Sequence, residues 1–129
     1  MKAWVRHRME TIVLAVGITE LAIGLWMAIS PATFFDTVGG FGAENHHYIR
    51  DTSTVYFALG IAMLLAVRRP AWRAPVLLTA ALQYALHSLN HLIDVGEAEP
   101  SWVGPFEFVT IAMSTALLGY LFTVAAEEP

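Results

Sequence analysis

A chain of 129 residues has the length of one domain; 57% of it is hydrophobic and only 14% charged. Soluble domains carry roughly 25% charged residues, so this balance points to a membrane protein. A net charge of −4 argues against a nucleic-acid partner, and the lack of cysteine excludes disulfides, thiolate metal sites, iron–sulfur clusters and cysteine nucleophiles.

Lys2, Arg6 and Arg8 precede an apolar run in the manner of a signal peptide. The run is too long for one, and Pro31 follows the only small-residue stretch that resembles a cleavage site. We therefore read a retained helix over about 11–30. Glu20 interrupts it some ~13 Å from its inner end, near the bilayer midplane. Gly17 and Gly24 lie on nearly the same face, where they can admit a neighbouring helix or leave space for a ligand. Two roles stay open for Glu20. It is a neutral carboxyl bonded to a partner such as His87, or it touches a ligand.

The connection from Pro31 to His47 holds Phe34, Phe35 and the run Gly39-Gly40-Phe41-Gly42. This predicts a short interfacial turn of helix, broken by the glycines. His46 and His47 are either solvated or form a lid over a site below. A second helix is predicted over about 48–67. At its start Arg50 and Asp51 form a local ion pair, or Asp51 caps the helix while Arg50 holds an anionic group or pairs with Asp94 or Glu107. Arg69-Pro70 ends it. Arg68, Arg69 and Arg73 fill a short link that makes the second and third helices antiparallel neighbours.

The third helix is predicted over about 74–93, with Pro75 in its first turn. At about 100° per residue, Gln83, His87, Asn90, His91 and Asp94 form one polar stripe. Polar groups at such a depth are costly and suggest a function. His87 and His91, four residues apart, can present both imidazoles to one transition metal. Glu20, Asp51 or Glu107 would complete the shell, and Asp94 would orient an imidazole. The alternatives are another ligand, or a hydrogen-bonded network that only sets helix register. A fourth helix is predicted over about 102–124, with Pro105 in its first turns and Glu107, Thr110 and Ser114 on one face.

Six of the seven basic residues lie before the first helix or in the link between the second and third. The positive-inside rule puts both groups, and both termini, in the cytoplasm. Trp4 and Trp72 would then mark the inner interface, Trp26 and Trp102 the outer one. The prediction is an all-α, four-helix transmembrane bundle running up-down-up-down, one domain over 1–129. Its polar residues lie in the outer half, as a cup open to the outside in which Glu20, His87, His91 and Glu107 converge. The chain has no G-x-G-x-x-G, Walker loop or G-x-S-x-G, and no Glu-x-x-His pair of the di-iron bundle type. Haem ligation by both His87 and His91 fails because they share one helix face.

The run Asn45-His46-His47-Tyr48-Ile49-Arg50-Asp51, then Tyr56-x-x-Leu59-Gly60, then His87-x-x-Asn90-His91-x-x-Asp94 resembles a pattern in small bacterial four-helix membrane proteins of unknown function, grouped near the DoxX-like proteins. The resemblance implies a four-helix membrane bundle in a bacterial-type cell membrane. It implies no activity and no cofactor. DoxX proper is associated with quinone-linked thiosulfate oxidation, but no residue match carries that role here.

Three functional readings follow. The first is an integral membrane binding protein whose outward cavity takes a metal ion or a small polar ligand. Its ligand-binding residues would be Glu20, Arg50, Asp51, Gln83, Asn90, Asp94 and Glu107, with His87 and His91 for the metal. The second is a redox enzyme or quinone-linked accessory subunit. The third is a structural subunit, packed against an oligomer mate or a partner in the bilayer, with a polar network that serves packing alone. Whether the chain catalyses a reaction is left open.

Overall fold

The computed structural model describes residues 1–127. Its elements are α1 (Lys2–Ile29), α2 (Pro31–Phe34), a π-helical turn (Phe35–Gly39), α3 (His46–Val67), α4 (Pro70–Ile93) and α5 (Val103–Ala125). Among the described residues there is no strand, only an isolated antiparallel bridge between Phe41 and Ala98. The four long helices match the four predicted segments. The fifth, α2, is the short turn foreseen after Pro31, and the chain breaks out of it at Gly39 and Gly40.

Three helices, α1, α3 and α5, are long and apolar enough to cross a membrane. This is a membrane protein. α4 is equally long at 24 residues but falls short in apolarity, because Arg73 and the polar stripe lie within it.

Two boundaries differ from expectation. α1 begins at Lys2 rather than near residue 11, since no proline or glycine interrupts Lys2–Glu10 and Val5 already donates to the Met1 carbonyl at 3.1 Å. α4 begins at Pro70, so Pro75 lies inside the helix rather than in its first turn. It is tolerated because only one bond near the helix start is lost.

The helices associate as two pairs. α1 runs along α3, and α4 along α5; α3 and α4 touch over a much smaller area despite their short link. The buried face of α1 is a single stripe, Val5, Met9, Val13, Gly17, Glu20, Gly24 and Met27, at steps of three and four. Its glycines bring the backbones together. A Cβ on Gly17 would stand 2.9 Å from the Met63 Cβ, and one on Gly60 2.7 Å from the Leu21 Cγ. Below Glu20 the interior is apolar, filled by Met9, Val13, Met63, Leu77, Leu121 and Val124.

The outside is apolar too. On α4, Leu78, Leu82, Leu86, Leu89 and Ile93 recur every three or four residues, with Leu86 68% and Ile93 71% exposed. A stripe of that kind suits lipid rather than water.

Polar ties hold the end that carries the α3–α4 link. Arg73 is buried, unlike its neighbours in the sequence. Its Nε donates to the Ala66 carbonyl (3.3 Å) and one Nη to the Val67 carbonyl (2.7 Å), so it caps the C-terminus of α3 and also reaches Glu10 at 3.3 Å. Lys2 Nζ donates to Glu127 at 2.7 Å and Arg6 to the same carboxylate at 3.2 Å, tying the start of α1 to the end of α5.

The hydrogen bond and charge of Lys2, with Arg6 behind it, hold the Glu127 carboxyl below its ordinary value of 4.5. A carboxylate lowered on folding contributes stability above its ordinary value and loses it as pH falls through the lowered one. Wild type should therefore melt above Glu127→Gln at pH 7. The gap should close as Glu127 is protonated in acid, and shrink with salt at neutral pH. A gap of constant size from pH 7 to pH 2, measured by thermal unfolding in detergent, would show that the tie does not form.

Candidate functional site

At the opposite end, under the two long connections, lies a cavity of about 310 Å³. α4 supplies its polar wall. His87, Asn90, His91 and Asp94 lie at positions i, i+3, i+4 and i+7 of the helix, and Glu107 of α5 stands beside them. α3 supplies Tyr48, Ile49, Thr52 and Tyr56, and α1 supplies Met27. The roof is aromatic, made of Phe34, Phe35 and Phe41 with Val38.

The roof is built from local chemistry. Trp26 Nε1 donates to Thr33 Oγ1 at 2.9 Å, and the Trp26 and Phe34 rings meet edge to face at 5.2 Å. Glu99 N donates to the Gly40 carbonyl at 2.9 Å, which pins this loop to the α4–α5 connection. The approach requires glycine, since a Cβ on Gly40 would run into the Glu99 carbonyl. Phe41 then drops its ring edge-to-face onto His91, 4.8 Å between centroids, and His91 meets His87 in the same way at 4.6 Å. Tyr48, Asn90 and Asp94 line the cavity and are also exposed. The mouth therefore lies between the first turn of α3 and the last turns of α4.

Glu20 does not line the cavity. It is 3% exposed, and its Oε1 accepts from Tyr84 Oη at 2.7 Å, while Oε2 has no hydrogen-bond partner. Tyr56 bridges the levels: it lines the cavity and lies within electrostatic reach of both Glu20 and Glu107. The partner of Glu20 is thus Tyr84 rather than His87. Gly17 and Gly24 serve the packing of α1 on α3 and leave no ligand space.

Of the other predicted site residues, His87, His91, Asn90, Asp94 and Glu107 are brought together around one space. Arg50, Asp51 and Gln83 are not among its lining residues. Arg50 is exposed and its Nε donates to the Ala28 carbonyl at 3.4 Å, at the end of α1; it pairs with neither Asp94 nor Glu107. Asp51 is exposed and faces His47 at 3.3 Å. The cap of α3 is Asn45, whose side chain accepts from Tyr48 N at 3.0 Å, so Asp51 does not cap the helix. His46 pairs with Glu44 in the exposed loop. Thr110 and Ser114 donate to carbonyls of their own helix. Among the described residues, no three histidine, aspartate or glutamate side chains converge as a metal site.

Sequence reasoning missed the aromatic half. Tyr84 carries the deepest hydrogen bond, and its signal was its spacing: Tyr84, His87, Ser88 and His91 recur at i, i+3, i+4 and i+7. Tyr56 belongs to the Tyr56-x-x-Leu59-Gly60 motif, whose spacing alone assigns it no role. Phe41 had no local signal, because a main-chain bridge to a distant loop places it.

A family model described as Domain of unknown function (DUF4345) matches residues 9–125, so the chain belongs to that family. No curated protein and no solved structure matches it.

The buried Glu20–Tyr84 bond can be measured by a double-mutant cycle. Tyr84→Phe and Glu20→Gln should each destabilise the protein. Their coupling should be about 0.6–1.7 kcal/mol, the average and upper end for hydrogen bonds between membrane helices. Denaturant unfolding in detergent reads the four stabilities. Strictly additive effects would mean that the two side chains do not meet.

Proposed function

We propose that this DUF4345 member is a multi-pass membrane protein that binds a small amphipathic organic molecule in the roofed cavity at its loop end. The single observation that carries the reading is the split lining of that cavity. One wall is His87, Asn90, His91, Asp94 and Glu107; the facing wall and roof are Phe34, Phe35, Phe41, Met27 and Ile49. Its volume sits at the lower end of small-molecule pockets, roughly 300–1,000 Å³. Such a site holds a flat or branched apolar body between aromatic rings and orients a polar head by a few hydrogen bonds. The Nδ1 of His91 is buried without a hydrogen-bond partner and offers one such contact.

A metal is the weaker occupant, since His87 and His91 gain no third protein ligand from Glu20, Asp51 or Glu107. A packing-only network is weaker still. A network that serves register alone satisfies its members, whereas here the carboxylate of Glu107 and the ring of His87 make no hydrogen bond to the described residues.

In this reading α4 is a fourth span despite its polar stripe, because the stripe turns inward and the exposed face is leucine. The termini and the arginine link lie in the cytoplasm and the cavity faces the outside of a bacterial-type cell. The DoxX-like resemblance supports the architecture and lends no activity.

The test is extraction of small molecules retained by the protein purified in mild detergent, identified by mass spectrometry. His87→Ala and Glu107→Ala should lower the retained amount by about tenfold, equivalent to roughly 1.4 kcal/mol of binding. Asp51→Ala should not, since Asp51 lies off the cavity. Absence of any retained molecule from wild type, or equal loss in Asp51→Ala, counts against the reading. Stoichiometric metal lost in His91→Ala would replace the organic ligand by an ion.

Topology is tested separately in this cysteine-free chain. Ala43 and Ala71 are both exposed and lie at opposite ends. A cysteine at 43 should react with an impermeant thiol reagent on intact cells, and one at 71 only after lysis. The reverse pattern would invert the orientation.

A further inference from the structure

A second hollow, distinct from the cavity, lies at the arginine end. It is a groove of about 420 Å³ lined by Leu14 of α1 and by Leu64, Leu65, Val67, Arg68 and Arg69 at the end of α3. Its shape follows from the close approach of α1 and α3. Gly17 presents no side chain, and Leu64 packs over the space where its Cβ would be, so a shallow trough replaces a ridge. Leu14, Leu64 and Leu65 are 40%, 36% and 44% exposed, so the trough is open from the side. Ile18 and Ile61, four residues from Leu14 and Leu65 on the same helices, are exposed as well.

The groove ends in a pair of cations. Arg68 caps α3 and Arg69 precedes Pro70 of α4, and both side chains are exposed. The Arg69 guanidinium stacks over the Trp72 ring at 4.8 Å, an indole at the depth where headgroups lie. The nearest acid on α1, Glu10, is directed to the buried Arg73. An apolar trough of exposed leucines that leads into two guanidiniums is complementary in shape and charge to an acyl chain with its phosphate.

We propose that this groove is a binding site for one anionic phospholipid. An acyl chain lies along Leu14, Leu64 and Leu65, and the phosphodiester accepts hydrogen bonds from Arg68 and Arg69. Guanidinium forks match phosphate oxygens in pairs, and a basic pocket between spanning helices selects an anionic headgroup over a zwitterionic one. The site is independent of the cavity at the other end and of the direction in which the chain is inserted.

The experiment uses the full-length protein in mild detergent. Phosphatidylglycerol or phosphatidylcholine with matched chains is added, and bound lipid is counted by native mass spectrometry. Wild type should carry one phosphatidylglycerol in at least tenfold preference to phosphatidylcholine. Arg68→Gln with Arg69→Gln should abolish the preference, whereas Arg8→Gln, which removes a charge near the same end but outside the groove, should keep it. Leu64→Trp, which fills the trough without touching charge, should also lower occupancy. Equal binding of the two lipids by wild type overturns the proposal without recourse to any variant. Equal loss in Arg8→Gln overturns it too, since it would show a diffuse charge effect.

Discussion

The hydrogen bond between Tyr84 and Glu20 is the constraint on which the arrangement turns. α1 and α3 form one close pair and α4 and α5 another. Glu20 belongs to the first and Tyr84 to the second, and their 2.7 Å contact is buried. In a bilayer the helices have no hydrophobic drive to choose one register over another, because lipid is as apolar as leucine. A polar group that must find a partner supplies that choice. Once Tyr84 is set against Glu20, His87 and His91 follow one and two turns further along the same face. The cavity wall is thus indexed from a bond at its base.

Glu20 also marks a boundary. Toward the arginine end the interior is methionine, leucine, valine and alanine, and it is closed. Toward the loop end imidazoles, carboxylates and tyrosines surround the cavity. The connections match this division. A two-residue link suffices at the apolar end, whereas the loop end uses α2, the π-helical turn and the 94–102 segment to cover the cavity. Those loops are joined to each other by backbone, through the Phe41–Ala98 bridge and the Glu99–Gly40 bond. A main-chain seam needs no particular side chain beyond glycine at the tight point.

This explains what could be read from the sequence. The four long helices, the turn after Pro31 and the α4 stripe were legible, because hydrophobic length and 3.6-residue periodicity are local properties. Glu107 beside that stripe was legible from depth. The partner of Glu20 was not: His87 and Tyr84 share a face three residues apart, and only the rotation of α4 against α1 decides between them. Arg50 and Asp51 were drawn toward the site by charge, but α3 turns both outward. Asn45, which directly precedes the first residue of α3, takes the cap. The burial of Arg73 was illegible for the opposite reason. Three arginines in six residues look alike, yet α4 already begins at Pro70, so Arg73 is helical and points back at the open carbonyls of α3.

The helix that carries the most site residues is the one that reads least well as a span. α4 is long enough, and its outward face is an unbroken row of leucine and isoleucine. What lowers its apolarity is Gln83, Ser88, Asn90 and His91, together with Arg73. These residues are individually expensive in a membrane. Structural need would be met by one bond such as Tyr84 to Glu20. Of the other polar groups, His87, Asn90, His91, Asp94 and Glu107 border the cavity, and of these only the two imidazoles also meet each other. In the reading proposed above, this polar wall and the aromatic roof over it suit an occupant with a polar head and an apolar body.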